Sequence, residues 1–229
     1  MQFSRSQKRT SSPMRRLIHS LLNIAPAVHR YVITKLRARF LRYRYAIATV
    51  RIRRKSRRGE QICVLFLVNE TAKWKSQALF DLLSKDPRYK VSLALSIGDT
   101  DMSLSPNERA AKVSGMASWF EKRGVGDFVV AYDCKTDKAL PLDRFMPDIV
   151  FYHQQWFIPP CQMPRVVSQF ALTCYIPYFV PTFANNTMHC QLQLHKDVFR
   201  HFVLNETWKA FYEQNIDPAV YEIGRASCR

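Results

Sequence analysis

The sequence predicts an α/β fold: a doubly wound, mainly parallel Rossmann-like sheet preceded by a basic amphipathic helical arm. Three observations carry this. Short apolar runs rich in Val, Ile, Leu and aromatics recur at Gln61–Val68, Tyr89–Ile97, Val125–Tyr132 and Asp148–Tyr152, as buried parallel strands require. Stretches with helical spacing separate them, which is the alternation of a parallel sheet with crossovers. And the charge is lopsided: residues 1–58 hold 17 of the 35 Lys and Arg and none of the 18 Asp and Glu, so the remainder carries 18 of each sign and is neutral.

The arm comes first. Leu17, Leu21, Ile24, Val28, Val32, Leu36, Phe40, Tyr43, Ile47 and Val50 step by three or four and predict one helix over 13–50 with a continuous apolar stripe. Arg15, Arg16, Arg30, Lys35, Arg37, Arg39, Arg42 and Arg44 crowd the rest of it. An apolar stripe among cations with no acid suits the surface of an anionic bilayer. No uncharged apolar run approaches the length of a membrane span, and there is no secretory-signal pattern. A helix packed on a protein, a nucleic-acid-binding tail and a mitochondrial transit peptide remain alternatives; no nucleic-acid reader motif is present, so nucleic acid is not the expected partner. Arg51–Arg58, with six basic residues in eight, reads as a solvated linker, giving an arm and linker over 1–58 and a body over 59–221.

In the body, Gln61–Val68 predicts the first strand and Ala72–Ser84 the first helix, stopped by Asp86-Pro87. Tyr89–Ile97 is the second strand, Pro106–Arg123 the second helix, Val125–Tyr132 the third strand and Asp148–Tyr152 the fourth. A short helical piece over Arg165–Ala171 leads to a strand at Leu172–Tyr175. Residues 166–195 carry no charged side chain, but Pro177, Pro181, Asn185 and Asn186 interrupt them, which favours a buried strand and a ligand-side loop. Phe199–Leu204 predicts a further strand and Glu206–Gln214 a helix.

Open parallel sheets bind ligands beyond the carboxyl ends of their strands. That places His153, Gln154, Gln155 and Trp156 past one strand and Tyr178 past the next. A histidine there can take a proton from a hydroxyl near neutral pH, whereas Tyr178 is better suited to donate a hydrogen bond to phosphate. Lys73 and Lys75, in the first strand-to-helix loop, offer cations for a phosphate; a solvated helix face accounts for them equally well. His153 and its neighbours are equally compatible with loop residues that cap a core. With six glycines and no G-x-G-x-x-G or G-x-x-x-x-G-K-[ST], no dinucleotide or triphosphate cradle is expected, and no cofactor. His189, Cys190 and His195 lack zinc-site spacing, so no metal is expected. The six cysteines form no C-x-x-C, and Cys63 and Cys174 fall in strand-like runs as reduced, buried thiols do.

Two resemblances add expectations. Residues 61–221 resemble the N-terminal half of the CDP-glycerol glycerophosphotransferase family. The resemblance rests on Ile62–Val68 with Lys73-Trp74-Lys75, on the Phe-Met-Pro-Asp-Ile-Val-Phe-Tyr segment at 145–152, and on Leu172–Tyr178. It implies the first half of a GT-B-type, metal-independent transferase, peripheral to the cytoplasmic face of the cell membrane. Such an enzyme would move glycerol phosphate or a sugar from a CDP- or other nucleotide-activated donor to a lipid-linked or polymer acceptor, as in teichoic acid or capsule assembly. A non-catalytic scaffold of polysaccharide assembly is the alternative. The family's Trp-His-Gly-like motif after the matching strand is replaced here by Ile176-Pro177-Tyr178, so the resemblance implies that His153 or Tyr178 serves as base, or that the substrate differs. Residues 222–229 resemble a translated sequencing-library adapter, ATC-GGA-AGA-GCG-TCG-TGT-AGG reading Ile223–Arg229, which implies a natural protein continuing past Tyr221, a donor-binding half downstream, and no activity in this chain alone.

Overall fold

The computed structural model describes residues 13–178, 192–203, 205–216 and 222–225, with the side chains of 32–98, 101–178, 192–203 and 205–216. The chain divides into two compact units, one ending at Phe40 and one beginning at Leu41.

Helix α1 runs Pro13–Arg57, seven residues beyond the expected end, and the linker expected at Arg51–Arg58 is its last turns. The reason is a second apolar stripe. Leu41, Tyr45 and Ala48 are buried against Leu172, with Ile52, Ile149 and Phe199 packed around them. Tyr45 donates its hydroxyl to the Asp197 carbonyl and meets Thr173 Oγ1 at 2.7 Å. Near the helix end, Lys55 Nζ reaches Asp148 Oδ2 at 2.7 Å, and the same oxygen accepts the Cys63 N–H at 2.9 Å. Residues 41–57 therefore belong to the body.

The body is a seven-stranded, all-parallel sheet. Its strands are β1 (Ile62–Val68), β2 (Tyr89–Leu95), β3 (Phe128–Val130), β6 (Ile149–Tyr152), β7 (Leu172–Tyr175), β8 (Arg200–Val203) and β9 (Glu222–Arg225), ordered β3-β2-β1-β6-β7-β8-β9. Two-residue strands β4 (Tyr132–Asp133) and β5 (Lys138–Ala139) form a separate antiparallel pair. Thus the doubly wound parallel sheet expected from the sequence is present. The segment set aside as a non-native tail supplies the edge strand β9, and residues 226–229 lie outside the described residues.

Helices α2 (Gln77–Ser84) and α3 (Pro106–Glu121) cover one face, where Phe66, Leu93, Phe80, Val113, Met116 and Phe120 form the larger core. Helices α4 (Pro164–Val167) and α5 (Gln193–Asp197) lie on the other, around Leu67, Val150, Tyr152, Val167 and Leu194. Helix α3 starts at the expected Pro106, where Ser105 and Glu108 cap each other's backbone N–H and the proline takes the first turn. Asn205 caps α6 (Glu206–Asn215) through the Trp208 N–H at 3.0 Å.

Helix α2 begins five residues later than expected. Thr71–Lys73 is a 3-10 turn and Trp74 is extended, which drives its indole edge-on between Phe66, Phe80 and Phe120, at centroid distances of 5.6, 6.2 and 5.4 Å. Burial of a large aromatic outweighs the weak helical preference of that loop.

Candidate functional site

Strand order reverses between β1 and β6, the point at which a parallel sheet opens a crevice at its carboxyl edge. The register pairs Leu67 with Tyr152. The chain therefore leaves β1 through Val68, Asn69 and Glu70 beside His153 and Gln154 leaving β6. These residues line a cleft together with Leu67, Lys73 and Trp74. Its volume is about 10 Å3, room for a single water molecule.

Lys73 straps this cleft. Its Nζ lies 2.6 Å from Glu70 Oε2, 3.3 Å from Gln154 Oε1 and 5.6 Å from the centre of the Tyr178 ring. Tyr178 in turn meets Trp156 edge-on at 6.5 Å. Of the residues expected at the ligand end of the sheet, the structure brings Lys73, Gln154, Trp156 and Tyr178 into one cluster, with His153 beneath it. Lys75 is exposed and does not line the cleft, because the extended Trp74 between them sends the two lysines different ways. Gln155 is drawn inward: its Oε1 accepts from the Tyr175 hydroxyl at 3.1 Å and from His195 Nε2 at 2.6 Å.

His153 is 4% exposed and packs against the rings of Phe66 and Trp74, at 5.9 and 5.0 Å. Its Nε2 is 2.6 Å from Ser76 Oγ, while Nδ1 has no hydrogen-bond partner. Burial pushes its pKa down to about 4 against the opposing pull of the Leu67 backbone, so the ring is neutral at pH 7. A neutral imidazole is in the right state to accept a proton, but one so depressed is a weak base until an anion or hydroxyl enters beside it. Asn69 adds a second orphan. Its amide nitrogen donates to the Ile97 carbonyl at 2.7 Å, which fixes the flip, and its Oδ1 is buried without a partner. Two buried polar atoms without partners at one cleft point to a ligand that supplies them.

Behind the cleft lies a buried chain of imidazoles that the sequence reading did not anticipate. His195 Nδ1 is 3.1 Å from His201 Nε2. Because Gln155 Oε1 only accepts, His195 carries its proton on Nε2 and receives one from His201 Nε2 at Nδ1. Burial, with His195 adding to it, holds the pKa of His201 well below its ordinary value. Gln162 is another residue without a signal in the amino-acid pattern. Fully buried, it bonds Ser96 Oγ and the carbonyls of Ala131 and Leu140, and so ties the ends of β2 and β3 together. Neither role leaves a local pattern, since each depends on a partner at least 40 residues away, Gln155 for His195 and Ser96 for Gln162.

On α1, Lys35, Arg39 and Arg42 are exposed and Arg37 is half-buried. Arg44, half-buried, turns to the body and donates to the Arg165 carbonyl at 3.2 Å. The side chains of Arg15, Arg16 and Arg30 lie outside the described ones, as do His189 and Cys190. Of the expected apolar stripe, Val32, Leu36 and Phe40 in the first unit, and Tyr43, Ile47 and Val50 in the second, are between 46% and 64% exposed; the side chains of Leu17, Leu21, Ile24 and Val28 lie outside the described ones.

Among the described residues no group of three His, Cys, Asp or Glu is placed to hold a metal ion, and no helix is long and apolar enough to cross a membrane. No protein-family model, curated protein or solved structure matches the chain.

Proposed function

We propose that this domain binds a polyol phosphate, or an activated donor that carries one, over the mouth of the β1–β6 cleft, which the strap of Lys73 opens by leaving Glu70, as part of a transferase that works at an anionic membrane surface. The observation that carries the reading is the pairing of Lys73 with two buried, partnerless polar atoms, His153 Nδ1 and Asn69 Oδ1, at the topological switch point. A phosphate satisfies the ammonium, and hydroxyls satisfy an acceptor such as Asn69 Oδ1. The chemistry matches the glycerol-phosphate or sugar transfer that the resemblance to CDP-glycerol glycerophosphotransferases implies. In this reading Lys73 leaves Glu70 to grip the phosphate, Tyr178 and Gln154 orient it, and His153 is the base, its pKa rising as the ligand's charge arrives.

The test is calorimetric titration of the full chain with sn-glycerol 3-phosphate and with CDP-glycerol. Binding of at least one is expected, weakened about 10- to 100-fold by Lys73→Ala, the loss of one charge-assisted contact. Absence of binding at millimolar ligand, or an unaltered constant in the variant, sinks the reading.

The membrane part rests on a separate observation, the exposed ridge of Tyr43, Ile47 and Val50 between exposed cations. In flotation with vesicles rich in phosphatidylserine, the chain should rise with the lipid at low salt and release as salt shortens the Debye length from ~10 Å at 0.1 M. Tyr43→Ser/Ile47→Ser should abolish flotation. Both residues face away from the body, so the fold is expected to survive, whereas deleting α1 would strip the core of Leu41, Tyr45 and Ala48. Equal flotation of the variant would exclude the ridge as the docking surface.

A further inference from the structure

The pattern Asn-Glu-Thr-x-Lys occurs twice in this chain, and its two copies fold differently. Asn69-Glu70-Thr71-Ala72-Lys73 follows β1 and Asn205-Glu206-Thr207-Trp208-Lys209 follows β8, so both stand at the carboxyl edge of one parallel sheet. After β8 the pattern opens a helix at once. Asn205 is extended, its Oδ1 accepts the Trp208 N–H three residues on at 3.0 Å, and α6 begins at Glu206. After β1 the same residues stop short of a helix. Glu70 and Trp74 are extended on either side of the 3-10 turn Thr71–Lys73, and α2 begins only at Gln77. This copy holds the parts of a helix start unused. Asn69 Oδ1, the counterpart of the capping oxygen, is buried without a partner, and Ala72, whose N–H it would take, is exposed. Helix α2 meanwhile has no side-chain cap, its leading residue Ser76 being turned to His153 Nε2.

We propose that residues 70–76 are a two-state lid on the Lys73 cleft: folded around Trp74 when the cleft is closed, and helical from Glu70 into α2, capped by Asn69, when a phosphate is bound. The inference rests on the phosphate reading above and adds how the site opens. Glu70 and Trp74, extended now and helical then, are the hinges. Without a ligand, burial of the indole among Phe66, Phe80 and Phe120 holds the lid shut. A phosphate that meets Lys73 better in the helical form shifts the balance by that difference in affinity.

Helix periodicity says what the change does. Continuing α2 back to Glu70 puts Lys73 and Ser76 on one stripe with Phe80 and Leu83, which pack on the core. Trp74 falls on another, with Gln77 and the exposed Asp81. In the closed form it is Trp74 that faces inward, its ring 5.0 Å from that of His153, in a cleft with room for one water. The helical form therefore replaces an indole by an ammonium above His153 and enlarges the cleft. Asn69 Oδ1, once it takes the Ala72 N–H, keeps a second lone pair for a ligand hydroxyl.

The test reads the backbone at position 74 by NMR in the full chain, where the Cα chemical shift separates extended from helical residues. The free chain should give an extended shift, and saturating sn-glycerol 3-phosphate should move it into the helical range. Lys75→Pro favours the closed form, because the residue before a proline is held extended and a proline there breaks the lengthened helix. Lys75 is exposed, and the closed turn is held by the N–H groups of Lys73 and Trp74 instead, so the fold should survive. This variant should keep Trp74 extended and bind about tenfold or more weakly. Trp74→Gln removes the indole that holds the lid shut. Position 74 should then be helical without ligand, and binding about tenfold tighter, since the competent state is populated in advance. If the wild-type chain binds no glycerol phosphate, the phosphate reading fails, and the free Trp74→Gln chain still decides the lid. An extended position 74 in that chain, an extended Trp74 in the saturated wild-type chain, or undiminished binding by Lys75→Pro overturns the proposal.

Discussion

Asp148→Ala is expected to lower the unfolding free energy by about 3 kcal/mol. This side chain, 2% exposed, stands at the entry to β6 and joins three pieces of chain. Its Oδ2 accepts from Lys55 Nζ at 2.7 Å and from the Cys63 N–H at 2.9 Å, and its Oδ1 lies 3.5 Å from Arg51 Nε. Removing it orphans a backbone N–H at the start of β1 and leaves two cations facing an emptied site. Lys55 and Arg51 retain 27% and 40% side-chain exposure, so both can relax toward water, which places the loss at the low end for a broken buried pair. Asp148→Asn keeps an acceptor for Cys63 and should cost clearly less. Denaturant titration of both variants gives the comparison; a loss under about 0.5 kcal/mol for Asp148→Ala would mean that the end of α1 does not depend on this carboxylate.

Acid should destabilise the fold through His153. Its pKa is about 4 in the folded chain against 6.5 for the free side chain. Between those values the unfolded chain binds a proton that the folded chain refuses, so stability falls as pH falls from about 6.5 to about 4, and the loss ends once both states are protonated. A difference of 2.5 pKa units corresponds to about 3 kcal/mol as an upper bound. The groups near the ring are Ser76, bonded to Nε2, the Leu67 backbone, which opposes the depression, the apolar rings of Phe66 and Trp74, and the Lys73–Glu70 pair in the same cleft; none offers the imidazolium a carboxylate contact. His201, depressed by burial as well, adds to the slope in the same direction. Stability measured from pH 7.5 to 4 should show a shallower acid limb for His153→Asn than for the wild-type chain. Parallel limbs would show that His153 takes up its proton in the folded state with little penalty.

The sequence by itself determined the architecture. Apolar runs with a strand's length and β-branched content can be satisfied only by a sheet buried on both faces, and their alternation with helical stretches leaves parallel pairing as the economical arrangement. The start expected for the second helix, Pro106, is where α3 begins. The exposed stripe of α1 was legible for the same reason: a 3.6-residue period is local information.

Tertiary structure decided what depends on partners distant in the chain. The second stripe of α1, Leu41, Tyr45, Ala48 and Ile52, drew no reading from the sequence; Leu172 and Phe199 pack against it, and Ile52, from the expected linker, joins that contact. Trp74 broke the first turns of the expected helix because Phe66 and Phe120, eight residues before it and 46 after it, made a slot for its indole. Among the site residues, His153, Gln154, Lys73, Trp156 and Tyr178 were readable from strand ends. Their company was not: Asn69 and Ser76 acquire meaning from the register of β1 against β6, and Gln155 turned inward because His195 and Tyr175 wait there. Periodicity encodes which face a residue occupies, but the hydrogen bonds that give a buried polar atom its role, or leave it without one, are fixed when distant strands come into register.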